Sequence, residues 1–404
     1  MTRTGASDVV QDALRRIPYP LIPKSALPGI CMVFLTFLCA GADNSQVRRP
    51  RRSLTIPVQV NGKTGLFLVD TGADRSIVDT AFALRLGLKQ TGVANIRTNY
   101  STEVRPTVIA ENFQFGSKVF SDVSLVDMDL SLISLMQTVT LAGVLGIDFL
   151  TTACVTLQYS SGVVQIATCV DHAGRPIRLM KAGDVFFVPV QIGPSGLQML
   201  LDSGTTLTAL SYTAWQGLPI SERRYGVMEG IRSSTSSADA GLGCVPTFRI
   251  GAVALRQLPL RIVRPTQAGN FSSDLFAGIL GSDVLERFRV TLDLGHSTMY
   301  LDPDPAYRSD PYEFVTIGIQ FYKAETGAFT VVSVWKGAPA EEAGVAVGDQ
   351  IVSVNGLKSL GLDPDGFSDQ LHRPAGTSVT LEIERPTGTS IVRTKTRRLV
   401  CESN

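Results

Sequence analysis

At 404 residues the chain exceeds one ordinary domain and points to two or three. With 44% hydrophobic and 18% charged residues it can bury sizeable cores, which excludes a disordered chain. Its 37 Lys+Arg against 36 Asp+Glu leave a formal charge of +1, so no global field gathers nucleic acid or acidic substrates.

Residues 1–42 read as an address rather than as fold. Arg15, Arg16 and Lys24 precede an apolar run from Ile30 to Ala40, and Ala40-Gly41-Ala42 offers the small residues of a cleavage site. The run is shorter than the roughly 20 residues of a membrane span. The expectation is a signal peptide ending at Ala42 and export to the periplasm or outside, with a membrane anchor only if the segment stays uncleaved. Bulky Leu38 before Cys39 speaks against a lipid anchor. Arg48, Arg49, Arg51 and Arg52 make 43–52 a basic linker; lacking interleaved aromatics, it reads as solvated rather than as a nucleic-acid patch.

If Cys31 and Cys39 depart with the leader, Cys154, Cys169, Cys244 and Cys401 remain, and an exported chain can keep them paired. Cys154 and Cys169 flank a predicted hairpin and are the first pair expected to bridge. The histidines are His172, His296 and His372, and no C-x-x-C occurs, so neither a metal nor another cofactor is expected.

From Ser53 onward short apolar strands alternate with glycine-rich turns. Thr55 to Val60, the hairpin turn Asn61-Gly62 and Leu66 to Val69 lead into Asp70. Ala110 to Phe115, Val119 to Val126, Val144-Leu145-Gly146, Val155 to Leu157 and Val163 to Ile166 follow, a mostly β pattern. The region 185–303 then repeats that order. Pro57-Val58-Gln59-Val60 is echoed by Pro189-Val190-Gln191-Ile192, and Asp70-Thr71-Gly72 by Asp202-Ser203-Gly204, at one common offset of 132. Gly146, Asp148, Leu150 and Val155-Thr156-Leu157 return as Gly281, Asp283, Leu285 and Val290-Thr291-Leu292 at an offset of 135. A period this long means two duplicated lobes, not a solenoid.

A single Asp-Ser/Thr-Gly is weak, arising by chance in roughly one chain in five at average composition. Two copies, each ending an apolar strand and each followed by an apolar-apolar-Gly tripeptide, are specific. On these residues the chain resembles the aspartic proteases of the pepsin and retropepsin group. Asp70 to Asp74 (DTGAD) is similar to the retroviral form, and Asp202 to Thr206 (DSGTT) to the second lobe of the pepsins. The resemblance covers about 53–303 and implies a bilobal acid-protease fold, with lobe 1 at 53–170, an inter-lobe linker at 171–184 and lobe 2 at 185–303.

The resemblance also implies the chemistry. Asp70 and Asp202 would be the catalytic pair: two close carboxylates cannot both ionise cheaply, so they share one proton and hold an acid and a base at once. The base half activates a water, the acid half protonates the scissile carbonyl, and no covalent intermediate is needed. Gly72 and Gly204 permit close backbone approach, while Thr71, Ser203 and Thr205 support the turns, the first two by bonding across the lobes. A first-lobe hairpin closes over the cleft in this group; Gly92 to Pro106 lies in the corresponding place, with Tyr100 as its candidate tip. With both halves in one chain, the protein is expected to act as a monomer on a polypeptide substrate.

After a linker at 304–311 a third unit, 312–400, begins. Thr316-Ile317-Gly318-Ile319, a strand at Phe329 to Val334 and the run from Gly337 to Gly356 resemble a small α+β PDZ domain of the bacterial type. In such domains an extended peptide adds a strand to an open edge while a backbone loop captures its terminal carboxylate. The resemblance places Ile317, Gly318 and Ile319 in that loop and Phe367 and Leu371 on the helix that walls the groove, with C-terminal peptides as partners. Two other readings compete with this one. Gly193-Pro194-Ser195-Gly196 is a poor nucleophile turn with no convincing histidine partner, which disfavours a serine protease. A non-catalytic peptide-binding scaffold predicts a lost aspartate or motif glycine, and none is lost.

Overall fold

The computed structural model describes residues 53–97, 102–137, 139–167, 175–232, 237–264, 271 and 276–401. The expected leader and basic linker, Tyr100 and Cys169 lie outside the described residues. The described chain falls within one unit, 50–404.

The first lobe starts with β1 (Thr55–Val60) and β2 (Lys63–Val69). They are joined at the two-residue turn Asn61-Gly62, where both φ angles are positive (47° and 75°) as a hairpin of this length requires. Then come β3 (Ile77–Asp79), β4 (Lys89–Arg97), β5 (Thr102–Phe115), β6 (Lys118–Met128) and β7 (Gly143–Leu145), with helices α1 (Thr80–Leu86), α2 (Ser131–Gln137) and α3 (Ile147–Leu150). The sheet order is β1-β2-β7-β3-β6-β5-β4, and β1 also pairs with β5, so the sheet curls back on itself. Period-two alternation drives this: in β1, Ile56, Val58 and Val60 turn inward while Gln59 faces water. Phe67, Phe113, Phe115 and Phe149 fill the centre, Phe113 stacking on Phe149 at 4.6 Å.

Next come β8 (Cys154–Gln158), β9 (Val163–Ala167), β10 (Ile177–Arg178) and β11 (Met180–Ala182). The second lobe runs through β12 (Val185–Ile192), β13 (Ser195–Leu201), β14 (Ala209–Ser211), β15 (Arg224–Arg232), β16 (Ser237–Ile250), β17 (Val253–Arg264) and β18 (Gly278–Leu280), with α4 (Tyr212–Gly217) and α5 (Ser282–Leu285). Its order, β11-β12-β13-β18-β14-β17-β16-β15, repeats the first lobe strand for strand from β12 onward, including the β12–β16 closure. Gly193-Pro194 is the β12–β13 hairpin turn, which leaves Ser195 paired with Ile192 in the ladder. Last in the lobe are β19 (Phe288–Asp293) and β20 (Thr298–Pro303), which join β8, β9 and β10 in a sheet shared by both lobes. There Thr156 meets its own repeat, Thr291, with hydroxyls 3.3 Å apart. The duplication read as an offset of 135 is thus a pseudo-two-fold relation in space.

The C-terminal domain comprises β21 (Val315–Thr316), β22 (Ile319–Lys323), β23 (Phe329–Val334), α6 (Pro339–Glu342), β24 (Gln350–Val354), β25 (Leu357–Lys358), α7 (Pro364–Leu371), β26 (Ser378–Arg385), β27 (Gly388–Lys395) and β28 (Arg397–Arg398). Its main sheet runs β22-β23-β24-β26-β27, with β22 at one end. Arg385 makes a two-pronged ion pair with Asp349 (2.6 and 2.7 Å), tying β26 to the loop before β24. One expectation is corrected here. Phe367 and Leu371 do not wall a groove: both are buried in the domain core, Phe367 stacked 4.0 Å from Phe329. They are the apolar i, i+4 pair of an amphipathic helix, and the core claims that face.

This domain is fastened to the second lobe. Trp335, Ala338, Leu399 and Val400 pack in one buried cluster with Leu207, Leu242 and Cys244, and Cys244 is disulfide-bonded to Cys401. A bridge between β16 and the chain's last described residue was not anticipated. Cys154 is also in a disulfide.

Candidate active site

Each candidate aspartate leaves a buried strand at the point where the strand meets a parallel neighbour. β2 pairs with β7 and β13 with β18 in matching registers, Val69 opposite Leu145 and Leu201 opposite Leu280. The backbone N–H of Asp70 donates to Leu145 and that of Asp202 to Leu280, at 3.0 and 3.1 Å. The apolar-apolar-Gly elements therefore brace the two turns.

The turns are interlocked by four buried hydrogen bonds. Thr71 N–H donates to Ser203 Oγ (3.1 Å) and Ser203 N–H to Thr71 Oγ1 (3.0 Å). Each hydroxyl then donates to a backbone carbonyl of the opposite strand, Thr71 to Leu201 (2.9 Å) and Ser203 to Val69 (2.7 Å). All four donors are satisfied by the other lobe, so neither turn holds this geometry alone.

The glycines explain how close the carboxyl groups come. A Cβ on Gly72 would fall 2.5 Å from the Asp202 carboxyl carbon, and one on Gly204 2.5 Å from that of Asp70. Each glycine thus lies against the carboxylate of the opposite lobe, and any side chain there would separate the pair. Burial first, then the charge of Asp202, hold the Asp70 carboxyl well above the ordinary carboxylate range, against the lowering effect of donation from Gly72 and Ala73. At Asp202, Thr205 donates twice, through N–H (2.9 Å) and hydroxyl (2.7 Å).

Behind each turn lies a second network that sequence reading registered only as repeat echoes. Ser76 receives Gly146 N–H (2.8 Å), and its own N–H and hydroxyl donate to Asp148 (2.9 and 2.7 Å). Thr208 does the same with Gly281 (3.0 Å) and Asp283 (2.8 and 2.6 Å). Gly146 and Gly281 cannot carry a side chain, since a Cβ would meet backbone atoms at 2.8 and 2.9 Å. Tyr159 is buried with no hydrogen-bond partner for its hydroxyl among the described residues. Burial and the charges of Glu286, Asp202 and Asp70 keep its phenol protonated far above the usual range.

The hairpin expected over the cleft is β4–β5, paired out to Arg97 and Thr102, with its tip outside the described residues. Gly318 has φ +83° in the loop between β21 and β22, and Ile317 and Ile319 are buried beside it.

A family model described as aspartyl protease matches residues 56–149 and again 188–284, and a PDZ domain model matches 330–385. The chain carries a duplicated aspartyl protease domain followed by a PDZ domain. The repeats enclose both interlocked turns, and the PDZ match covers β23 to β26. Among curated proteins the chain is similar to the carboxy-terminal processing protease CtpA of Bacillus subtilis (strain 168), 36% identical over 98 residues, which is 24% of this chain and 21% of that protein. It is also similar to the carboxy-terminal processing protease CtpB of the same organism, 37% identical over 62 residues, 15% of this chain and 13% of that protein. The chain therefore spans only a small part of the length of these relatives.

Proposed function

We propose that the protein is an aspartic-type endopeptidase that hydrolyses peptide bonds with a water activated between Asp70 and Asp202, and that its PDZ domain binds peptides by their C-termini. The observation that carries the reading is reciprocal: each motif glycine lies against the opposite carboxylate, and the Thr71–Ser203 bonds lock that arrangement.

In this mechanism Asp70, the carboxyl raised by burial and by its neighbour's charge, holds the shared proton, and Asp202 is the base. A water between them attacks the scissile carbonyl carbon as Asp202 takes its proton and Asp70 donates to the carbonyl oxygen. In the second half the proton on Asp202 passes to the amide nitrogen as the C–N bond breaks, and Asp70 regains its own from the diol. The four cross-lobe bonds keep the carboxylates from separating as charge shifts between them, so little reorganisation is needed. On this reading β4–β5 is the hairpin that closes over the cleft, and a polypeptide in extended form is the substrate that suits it. The Cys244–Cys401 disulfide supports an exported location, where such bonds persist.

The test is cleavage of an unfolded polypeptide by the full chain and by Asp70→Asn and Asp202→Asn separately. Both variants should lose activity, and wild-type cleavage should stop with a statine-type transition-state mimic. Either variant retaining wild-type activity would contradict the shared-proton mechanism.

A further inference from the structure

The PDZ elements that would receive a peptide are the ones that touch the protease lobes. Gly318 donates no side chain to the carboxylate loop because there is no room: a Cβ would fall 2.4 Å from Ala338 Cβ and 3.5 Å from Leu399. Its carbonyl accepts from Trp335 N–H at 2.9 Å. Trp335, Ala338 and Leu399 share a buried cluster with Leu207, which lies on the Asp202 turn just before Thr208, itself bonded to Asp283. On the other side β22, which ends its sheet and pairs only with β23 among the described strands, lies against α2 of the first lobe. α2 in turn sends Ile133 into the cluster that holds Ala73 and Ile77, the flanks of the Asp70 turn. The Cys244–Cys401 bond keeps the domain from swinging free of lobe 2.

A peptide that adds to β22 with its carboxylate at the Ile317–Gly318 loop therefore presses on contacts leading to both catalytic turns. Those turns are already interlocked without it, so the effect to look for is a loosening of that arrangement. Hydrolysis of an internal peptide bond creates one new α-carboxylate, on the N-terminal product; the intact internal segment has none. We propose that the docked PDZ groove senses the enzyme's own N-terminal products, a free α-carboxylate there slowing hydrolysis at the dyad. The inference rests on the protease and PDZ-binding reading above and adds their coupling.

The full chain is given an internally quenched peptide whose C-terminus is amidated, together with the N-terminal product of that peptide as free acid or as amide. Binding of each product is read by fluorescence anisotropy, and backbone amide exchange is followed in α2 and at 205–208. The free acid should lower kcat by about fivefold or more at saturation, the low end for coupled sites, and raise exchange in both segments. The amide should do neither. In Trp335→Ala the acid should still bind while its effect on kcat largely disappears. Acid that binds while kcat and exchange stay unchanged overturns the coupling and leaves PDZ capture standing. A rise in KM alone assigns the product to the cleft and also overturns it. Equal binding of acid and amide, or binding of neither, overturns carboxylate capture itself and the coupling with it. If the chain cleaves nothing, the exchange response still decides: its absence in α2 and 205–208 overturns the coupling.

Discussion

In the first lobe Asp70 is followed three residues later by Ala73, and the chain behind it ends on Asp148, which is exposed. In the second, the corresponding residues are Thr205, whose hydroxyl reaches Asp202 at 2.7 Å, and Asp283, which is only 4% exposed. The backbone frame is the same, down to the register of the bracing strands. The difference is covering: in the second lobe Asp202 is only 4% exposed and the PDZ domain packs over Leu207, while in the first Asp70 is half-buried. Duplication thus supplies two carboxylates in equivalent geometry, and later divergence makes them chemically unequal, which an acid–base pair needs.

The largest expected effect tests the equivalence. Gly72→Ala and Gly204→Ala each force the opposite carboxyl group aside and should each lower kcat/KM about 100-fold, the scale of a displacement near 1 Å. A large loss in only one would mean that the lobes do not approach symmetrically. Next in size, Thr71→Val and Ser203→Ala each remove a hydroxyl at the lobe junction and leave a buried N–H of the partner unsatisfied. Thermal or denaturant unfolding should show about 1–3 kcal/mol of destabilisation for each. The double variant should lose less than the sum, because the four bonds act as one unit.

Thr205→Ala gives the second turn the residue of the first and so removes one source of the inequality. Loss of a donor to a carboxylate should lower kcat/KM roughly tenfold and move the acid limb of the pH profile upward. The smallest effect concerns stability. The Asp70 carboxyl is raised in the folded chain above its ordinary 3.8, so the folded state binds more protons than the unfolded one in that window, and stability falls as pH rises through it. Asp70→Asn should flatten this decline, melting above wild type at pH 7 and losing that advantage below about pH 3.8.

Much of the frame was legible in the residues. The DTGAD and DSGTT turns, the strands that deliver them and the bracing Gly146 and Gly281 all lie in short local patterns repeated at fixed offsets. What escaped was whatever depends on distant partners. Ser76–Asp148 and Thr208–Asp283 are ordinary polar residues until the α3 and α5 turns bring them together. Cys244 and Cys401 are 157 residues apart, and nothing local distinguishes them as a pair. Phe367 and Leu371 carry a pattern that fits both groove wall and core, and packing decided for the core. The docking of Trp335 beside Leu207 likewise emerges only when both domains are folded.

The central claim is that Asp70 and Asp202 work as one protonic unit, and the pH dependence of kcat/KM on a substrate without titrating groups tests it most directly. The account predicts a bell-shaped profile. Its acid limb marks protonation of the base, and its alkaline limb, loss of the shared proton, lies above 3.8 because burial and the charge of Asp202 raise Asp70. A profile that keeps rising through neutral pH with no alkaline limb would contradict it.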